Sequence, residues 1–303
     1  MAGGRLRVIC GPTAAGKSSI ALELAKTKHA AIISADSRQV YREFDVGTAK
    51  PTREQREIVP HFGIDVVQPV QRYSAAQWAR DATGFIQQLQ CDTAALVTGG
   101  TGLYIRALVD PIFNAEALPA ERRSDLEREL SSLPLSELRR WCSQLDPARG
   151  HLGRTQLLRA IETVLLQGGR ISAQHAAQKE QPRPFDPVYL LVDPGPALGL
   201  RIEQRIDQML GCGWLDEVQR LARTIPPDAP AWKASGYRTI RKVVENEMDL
   251  SSARERVIIE TRQYAKRQRT WFRHQLPPRS VTRLNPDDPD FRTVVQEWWE
   301  KPE

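Results

Sequence analysis

Residues 11–18 read GPTAAGKS, a Gly-x-x-x-x-Gly-Lys-Ser spacing whose chemistry is anion binding. Gly11, Pro12, Thr13, Ala14, Ala15, Gly16, Lys17 and Ser18 form a loop that wraps a phosphate with inward-turned backbone N–H groups. Lys17 adds positive charge at the outer phosphates, and Ser18 supplies a hydroxyl for Mg²⁺. A plain Gly-rich turn is the alternative. The context weighs against it, because the apolar run Leu6–Cys10 precedes the loop and a helical stretch, Ile20–Ala25, follows it.

Three further groups stand where a parallel sheet would deliver them to such a loop. Asp36, in SADSRQVY at 34–41, follows a second apolar run. A carboxylate there serves as a general base, reaches the Mg²⁺ shell through water, or closes an Asx turn. Thr101, in GGTGLY at 99–104, is either a hydroxyl beside the ligand or a simple helix cap. Arg201 and Arg205 sit one helical turn apart after the 188–192 run. They are a diphosphate clamp or surface arginines paired with Glu203 and Asp207. The GTAKP loop at 47–51 shows no evident structural reason for its composition.

The elements needed to position these groups follow from periodicity. Strands are expected at Leu6–Cys10, Ala30–Ser34, His61–Val67, Thr93–Val97, Val188–Val192 and Val281–Leu284. Helices are expected at Lys17–Lys26, at Ala75–Gln90 with Ser74 as N-cap, at 197–223, 236–246 and 251–273, and near 290–300. Strand–helix alternation implies an α/β fold, a P-loop NTPase-like parallel sheet flanked by helices. Between Ala120 and Gln181 the chain is charged and strand-poor. Leu126, Leu130, Leu133, Leu138, Leu157, Leu158, Ile161 and Leu165 give it apolar stripes. We read 115–185 as an all-helical insertion domain ending at the linker 181–184, with 1–114 and 186–303 forming the core domain.

The 303 residues carry 43 Lys and Arg against 37 Asp and Glu, a net charge of +6. The excess is local: from Arg254 to Arg283 nine basic residues meet only Glu255 and Glu260. Arg262, Lys266, Arg269 and Arg273 fall at i, i+4, i+7 and i+11, one helix face suited to a nucleic-acid backbone or to solvent. Cys10, Cys91, Cys142 and Cys212 form no CxxC pair, which argues against a zinc ribbon or redox motif. No apolar run has membrane length and the N-terminus has no leader pattern, so a cytoplasmic setting is expected.

Taken together, GPTAAGKS, SADSRQVY, GTAKP, GGTGLY, GYR at 236–238 and AKRQRTWFR at 265–273 resemble the tRNA dimethylallyltransferases, and the C-terminus resembles the bacterial type. The resemblance implies transfer of a dimethylallyl group from dimethylallyl diphosphate to N6 of the adenosine 3′ of the anticodon. The tRNAs concerned read codons beginning with U. Asp36 would take the amine proton, with Thr101 lining the channel. Thr13, Lys17, Ser18 and Arg205 would hold the diphosphate with Mg²⁺. By the same carry-over, tRNA would be met by Asp36, Ser37, Arg38, Gln39, Thr101, Arg123, Arg159, Lys233, Gly236, Tyr237, Arg238, Arg262, Lys266, Arg267, Arg269 and Arg273. The insertion would grip the anticodon stem-loop, and nothing demands more than a monomer. One departure lies at His151-Leu152-Gly153-Arg154, where the family often has His-Pro-x-Asp. The competing readings are a small-molecule kinase using ATP at the loop, an adenylate isopentenyltransferase, and a silent RNA-binding scaffold.

Overall fold

The computed structural model describes residues 5–110, 120–179 and 183–301. Its contacts divide the chain into two compact units, Met1–Val109 with Pro184–Glu303, and Asp110–Arg183.

The first unit is built on β1 (Arg5–Cys10), α1 (Lys17–Thr27), β2 (Ala30–Ser34), α2 (Arg53–Ile58), β3 (His61–Phe62), α3 (Ala75–Gln88), β4 (Ala94–Gly99) and α4 (Gly102–Val109). The second unit supplies α5 (Ala120–Ser132), α6 (Leu135–Leu145), α7 (Arg154–Gln167) and α8 (Ile171–Lys179). The chain then returns to the first unit with β5 (Asp186–Val192), α9 (Leu198–Gly211), α10 (Trp214–Thr224), α11 (Tyr237–Val244), α12 (Leu250–Gln275), β6 (Val281–Leu284) and α13 (Phe291–Glu300).

All six strands are parallel, in the order β3-β2-β4-β1-β5-β6. A parallel sheet must be covered on both faces, and its central strands therefore read as continuous apolar runs. Val8, Ile9 and Cys10 are fully buried, as are Leu190 and Val192. One core joins β1, β2, β4 and β5 to Ile20, Ala21 and Leu24 of α1 and to Val295, Trp298 and Trp299 of α13. The register aligns the strand ends. Ile9 pairs with Thr98 and Cys10 with Gly99, while Ser34 pairs with Thr98. The exits of β1, β2 and β4 thus lie side by side at one edge of the sheet, the crevice where open α/β sheets bind ligands.

Three elements differ from expectation. The strand expected over His61–Val67 stops at Phe62, because Gly63 and Asp65 take positive φ of 74° and 57°. Only an isolated Tyr41–Val67 bridge continues the pairing. The helix expected over 197–223 is two helices, broken where Gly213 turns left-handed at φ 89°. Helix α2 is an addition; its apolar content is too small to set a period, and a capping box of Thr52 and Gln55 holds it. The cap at Ser74 is present, with Gln77 completing its box. Trp78 of α3 donates to the Ser34 carbonyl at 2.9 Å and stacks on Tyr104 with centroids 5.0 Å apart, steadying the exit of β2.

The GTAKP loop has a structural reason after all. Gly47 lies against the rings of Trp214 and Tyr237. The Lys50 ammonium is buried, donating to the Tyr41 carbonyl at 2.6 Å and to Asp45 and Asp65. Lys50 and Arg56 hold the Asp65 carboxyl below its usual range against the opposing effect of burial. Glu217 closes the other side: one oxygen accepts from Asp45 N and Val46 N at 2.9 and 2.8 Å, the other from the Tyr237 hydroxyl at 2.6 Å.

In the second unit Leu130, Leu138, Cys142, Leu157, Ala160 and Ile161 form the core, with Leu126, Leu133 and Leu158 at its margin. Leu165, expected in the stripe, is exposed.

Removing the Glu217 carboxylate strands three donors, the buried Tyr237 hydroxyl and the part-buried N–H groups of Asp45 and Val46. Glu217→Ala should lower the unfolding free energy by about 3 kcal/mol in urea titration. A loss below about 1 kcal/mol would mean that the GTAKP loop is held by other contacts.

Candidate active site

The loop from Gly11 to Ser18 adopts the anion-cradle form. Gly11 has φ 145°, and a Cβ there would lie 2.1 Å from the Val192 carbonyl oxygen, so only glycine lets β1 turn beside β5. Ala14 is left-handed at φ 62°, a conformation costing a non-glycine residue roughly 1 kcal/mol or more and kept only where its surroundings demand it. No side chain caps α1, so its first N–H groups remain available to a ligand. Lys17 folds back, donating to the Pro12 carbonyl at 2.6 Å.

Lys17, Arg205 and Asp36 converge above this loop. Burial, then the nearby Arg205 guanidinium, lower the Lys17 ammonium to about 8, against the opposing pull of Asp36. Burial likewise depresses Arg205, again opposed by Asp36. Two cations therefore share one carboxylate, an excess of positive charge that a diphosphate would balance. Arg205 is at this centre, while Arg201 pairs with Asp287 and reaches over Gly16; neither uses Glu203 or Asp207. The Oδ1 of Asp36 accepts from Arg38 N at 2.8 Å, an Asx turn. That turn is compatible with a base role, because the same side chain lines two cavities.

One cavity of about 810 Å³ contains Lys17, Ser18, Gly99, Gly100 and Gln268 in its wall. The other, of about 590 Å³, is lined by the cations Arg38, Lys233, Arg238 and Arg267 together with Glu260. Thr13, Asp36, Arg205, Met209 and Tyr264 belong to both walls. A phosphate cradle and a cation-lined cavity thus meet at a shared carboxylate. Thr101 stands behind this seam. Its Oγ1 accepts from Ser37 N at 3.0 Å and its N–H donates to the Ala35 carbonyl at 3.1 Å. Tyr264 also hydrogen-bonds Thr101; burial and then Asp36 push its phenol up to about 12.

Several residues expected to meet a polynucleotide are committed elsewhere. Tyr237 is fully buried among Phe44, Trp214 and Trp232, whereas Gly236 beside it, though buried, lines the cation-lined cavity. Gln39 spends its amide on Thr48 and Ala49 carbonyls and on the Ser34 hydroxyl. Of the ridge on α12, Arg262 pairs with Glu203, and Arg269 pairs with Asp193 and donates to the Gly195 carbonyl. Helical spacing puts four cations on one face but does not say what that face meets. Lys266, Arg267 and Arg273 are exposed, without an ion pair among the described residues. Arg159 on α7 lies 3.6 Å from Glu162. The Arg123 side chain lies outside the described residues. Sequence reasoning passes over Tyr264 and Gln268. Gln268 lies inside the AKRQ-bearing string and Tyr264 immediately before it, and the available signal is an uncharged polar residue at a core position of a helix that is otherwise charged.

The fold and site define a phosphate-loop α/β protein with an anion cradle and a cation-lined pocket on either side of one carboxylate. The chain belongs to the IPP transferase family: the family model of that description matches residues 39–275, and one described as isopentenyl transferase matches 4–61. It is 40% identical over 273 residues to a tRNA dimethylallyltransferase of Rippkaea orientalis, covering 88% of this chain and 89% of that one. The tRNA isopentenylpyrophosphate transferase structure of Bacillus halodurans is 31% identical, with TM-score 0.69, over 97% of this chain and 93% of that one. A eukaryotic dimethylallyltransferase acting on tRNA shares the fold at 23% identity and TM-score 0.82, over 99% of this chain and 81% of that one.

With its pKa near 8 in the free protein, Lys17 is about half neutral at pH 8. A bound phosphate favours the ammonium and raises that pKa. Binding of the diphosphate near pH 8 should therefore take up about half a proton, falling to none below about pH 6.5. Calorimetry in buffers of different ionisation enthalpy reads this directly. Uptake that is absent, or unchanged in Lys17→Met, would contradict it.

Proposed function

We propose that this protein is a tRNA dimethylallyltransferase. It moves the dimethylallyl group from dimethylallyl diphosphate to N6 of the adenosine immediately 3′ of the anticodon (position 37), in tRNAs reading codons that begin with U. The observation that carries the reading is the seam. Asp36 lies in the walls of both an anion cradle and a cation-lined cavity, so it can serve a donor held in one and a base presented by the other.

The adenine amine is a weak nucleophile because its lone pair is delocalised into the ring. As N6 attacks C1 of the donor, the C1–O bond to diphosphate breaks, and the amine proton passes to Asp36. Lys17, Arg205 and the loop N–H groups hold the negative charge that grows on the leaving diphosphate. The base leaves the anticodon stack to enter the second cavity. There the half-buried Arg38 and the exposed cations Lys233, Arg238 and Arg267 serve the flanking phosphates. The second compact unit would grip the anticodon stem-loop.

Mg²⁺ fits this site as a companion of the donor. The described residues contain no group of three or more His, Cys, Asp or Glu that could hold it alone. Ser18 offers a single hydroxyl in the cradle wall, and Mg²⁺ characteristically binds phosphate oxygens and keeps most of its waters. When bound it would neutralise charge on the diphosphate. No helix of the described residues is long and apolar enough to cross a membrane. Action on tRNA in the cytoplasm, as a monomer, is the reading we adopt.

The direct test incubates the protein and Mg²⁺ with dimethylallyl diphosphate and unmodified tRNA, beside AMP and ATP controls, and follows added isoprenyl mass. An adduct on tRNA alone supports the proposal. An adduct on AMP, or ATP consumption without an adduct, overturns it. Asp36→Ala should lower kcat by about 10³-fold while changing the tRNA Kd less than about threefold, because the exposed cations are untouched. Turnover within a few-fold of the parent would remove Asp36 from the base role. The tRNA Kd should weaken by about 20- to 100-fold between roughly 50 and 200 mM salt, as three to five phosphate contacts would release counterions. A flat response would exclude the cationic surface as the binding face.

A further inference from the structure

Gln268 does something that neither the phosphate loop nor the Asp36 loop does for itself. It sits on α12 and is 6% exposed, although it lies in the wall of the cradle. Its Oε1 accepts the Thr13 N–H at 2.8 Å, and its Nε2 donates to the Gly100 carbonyl at 2.8 Å. Both ends of one amide are thus committed, each to a different loop. The first loop leaves β1 and holds the anion. The second leaves β4 and carries Thr101, which in turn fixes Ser37 N beside Asp36. A Cβ on residue 100 would lie 2.3 Å from Nε2, so the bridge also requires glycine there. The Thr13 N–H, spent on Gln268, is not part of the anion nest.

We infer that Gln268 is a positioning residue, which sets the distance and angle between the donor held by the phosphate loop and the acceptor-side groups Asp36 and Thr101. Transfer chemistry is sensitive to such registration, since misplacement by about 1 Å can cost about 100-fold in rate. The sheet hydrogen bonds fix the strands, and the Thr101 N–H ties the β4 loop to the Ala35 carbonyl, but neither reaches the phosphate loop. The amide of Gln268 is the cross-tie at that level. Only an uncharged group that both donates and accepts can make it, because one partner is an N–H and the other a carbonyl.

The positioning role rests on the proposed transfer reaction. Wild-type protein that fails to prenylate tRNA would sink that reaction, whereas variants at position 268 test Gln268 only in protein that does prenylate. Gln268→Ala should lower kcat at least tenfold, with KM and Kd for dimethylallyl diphosphate within about threefold, because the cradle itself survives. Gln268→Glu keeps the size and the contact to Thr13, but as a carboxylate it faces the Gly100 carbonyl with no proton to donate. When protonated it can donate again. Its kcat relative to wild type should therefore climb as pH falls from about 8 toward about 5.5, a profile that a general loss of stability would not produce. Should Gln268→Ala fail to fold, the pH profile of Gln268→Glu still decides. A ratio flat with pH, or a defect confined to donor KM, would overturn the inference.

Discussion

Two cations gathered in one cavity wall with the Asp36 carboxylate set the terms for the rest of the first unit. Burial lowers the pKa of both Lys17 and Arg205, and the Arg205 charge lowers that of Lys17 further. Such a cluster persists only if the scaffold fixes it from several sides. The loop supplies one side, with Gly11 turned against β5 and Lys17 folded onto the Pro12 carbonyl. The ion pair of Arg201 with Asp287 and that of Arg269 with Asp193 brace α9 and α12 around it. The excess of positive charge is a preorganised demand for an anion, so charge complementarity exists before the donor arrives.

Helix α12 is the spine on the opposite side. Ala253, Val257, Ile258, Ala265 and Phe272 bury one stripe. Gln268 enters the cradle wall from the same helix, Tyr264 closes the seam between the cavities, and Lys266, Arg267 and Arg273 remain outside. A single 26-residue helix therefore couples core packing, donor geometry and a cationic surface, because three of its faces meet three different environments. Arg254 and Arg262 strap it to Asp207 and Glu203 of α9. Much of the local basic excess is in this way neutralised within the fold rather than offered to a partner.

The loop over residues 45–50 is positioned by buried polar contacts rather than by secondary structure. Glu217 and Lys50 take up its backbone and side-chain groups from two sides. Gln39 adds a third tie to the Thr48 and Ala49 carbonyls. Polar networks of this kind are stable only when satisfied throughout. That accounts for the unusual composition of the segment, which no local pattern explains.

What the sequence by itself determined was whatever has a short period or a fixed spacing. The phosphate loop and its flanking elements, the parallel α/β class, the β2 strand over Ala30–Ser34, the β6 strand over Val281–Leu284 and the Ser74 cap all follow from neighbours within a few residues. Strand His61–Val67 and the unbroken 197–223 helix fell to left-handed turns at Gly63, Asp65 and Gly213, where backbone conformation overrides apolar pattern. Tertiary structure alone decided which chemistry-bearing side chains face the site. Arg205 reached the centre while Arg262 and Arg269 were neutralised. Tyr237 vanished into the core, and Gln268, 255 residues from Thr13, became its partner. The physical reason is that periodicity places a residue on a face. What that face meets depends on contacts between segments far apart in the chain.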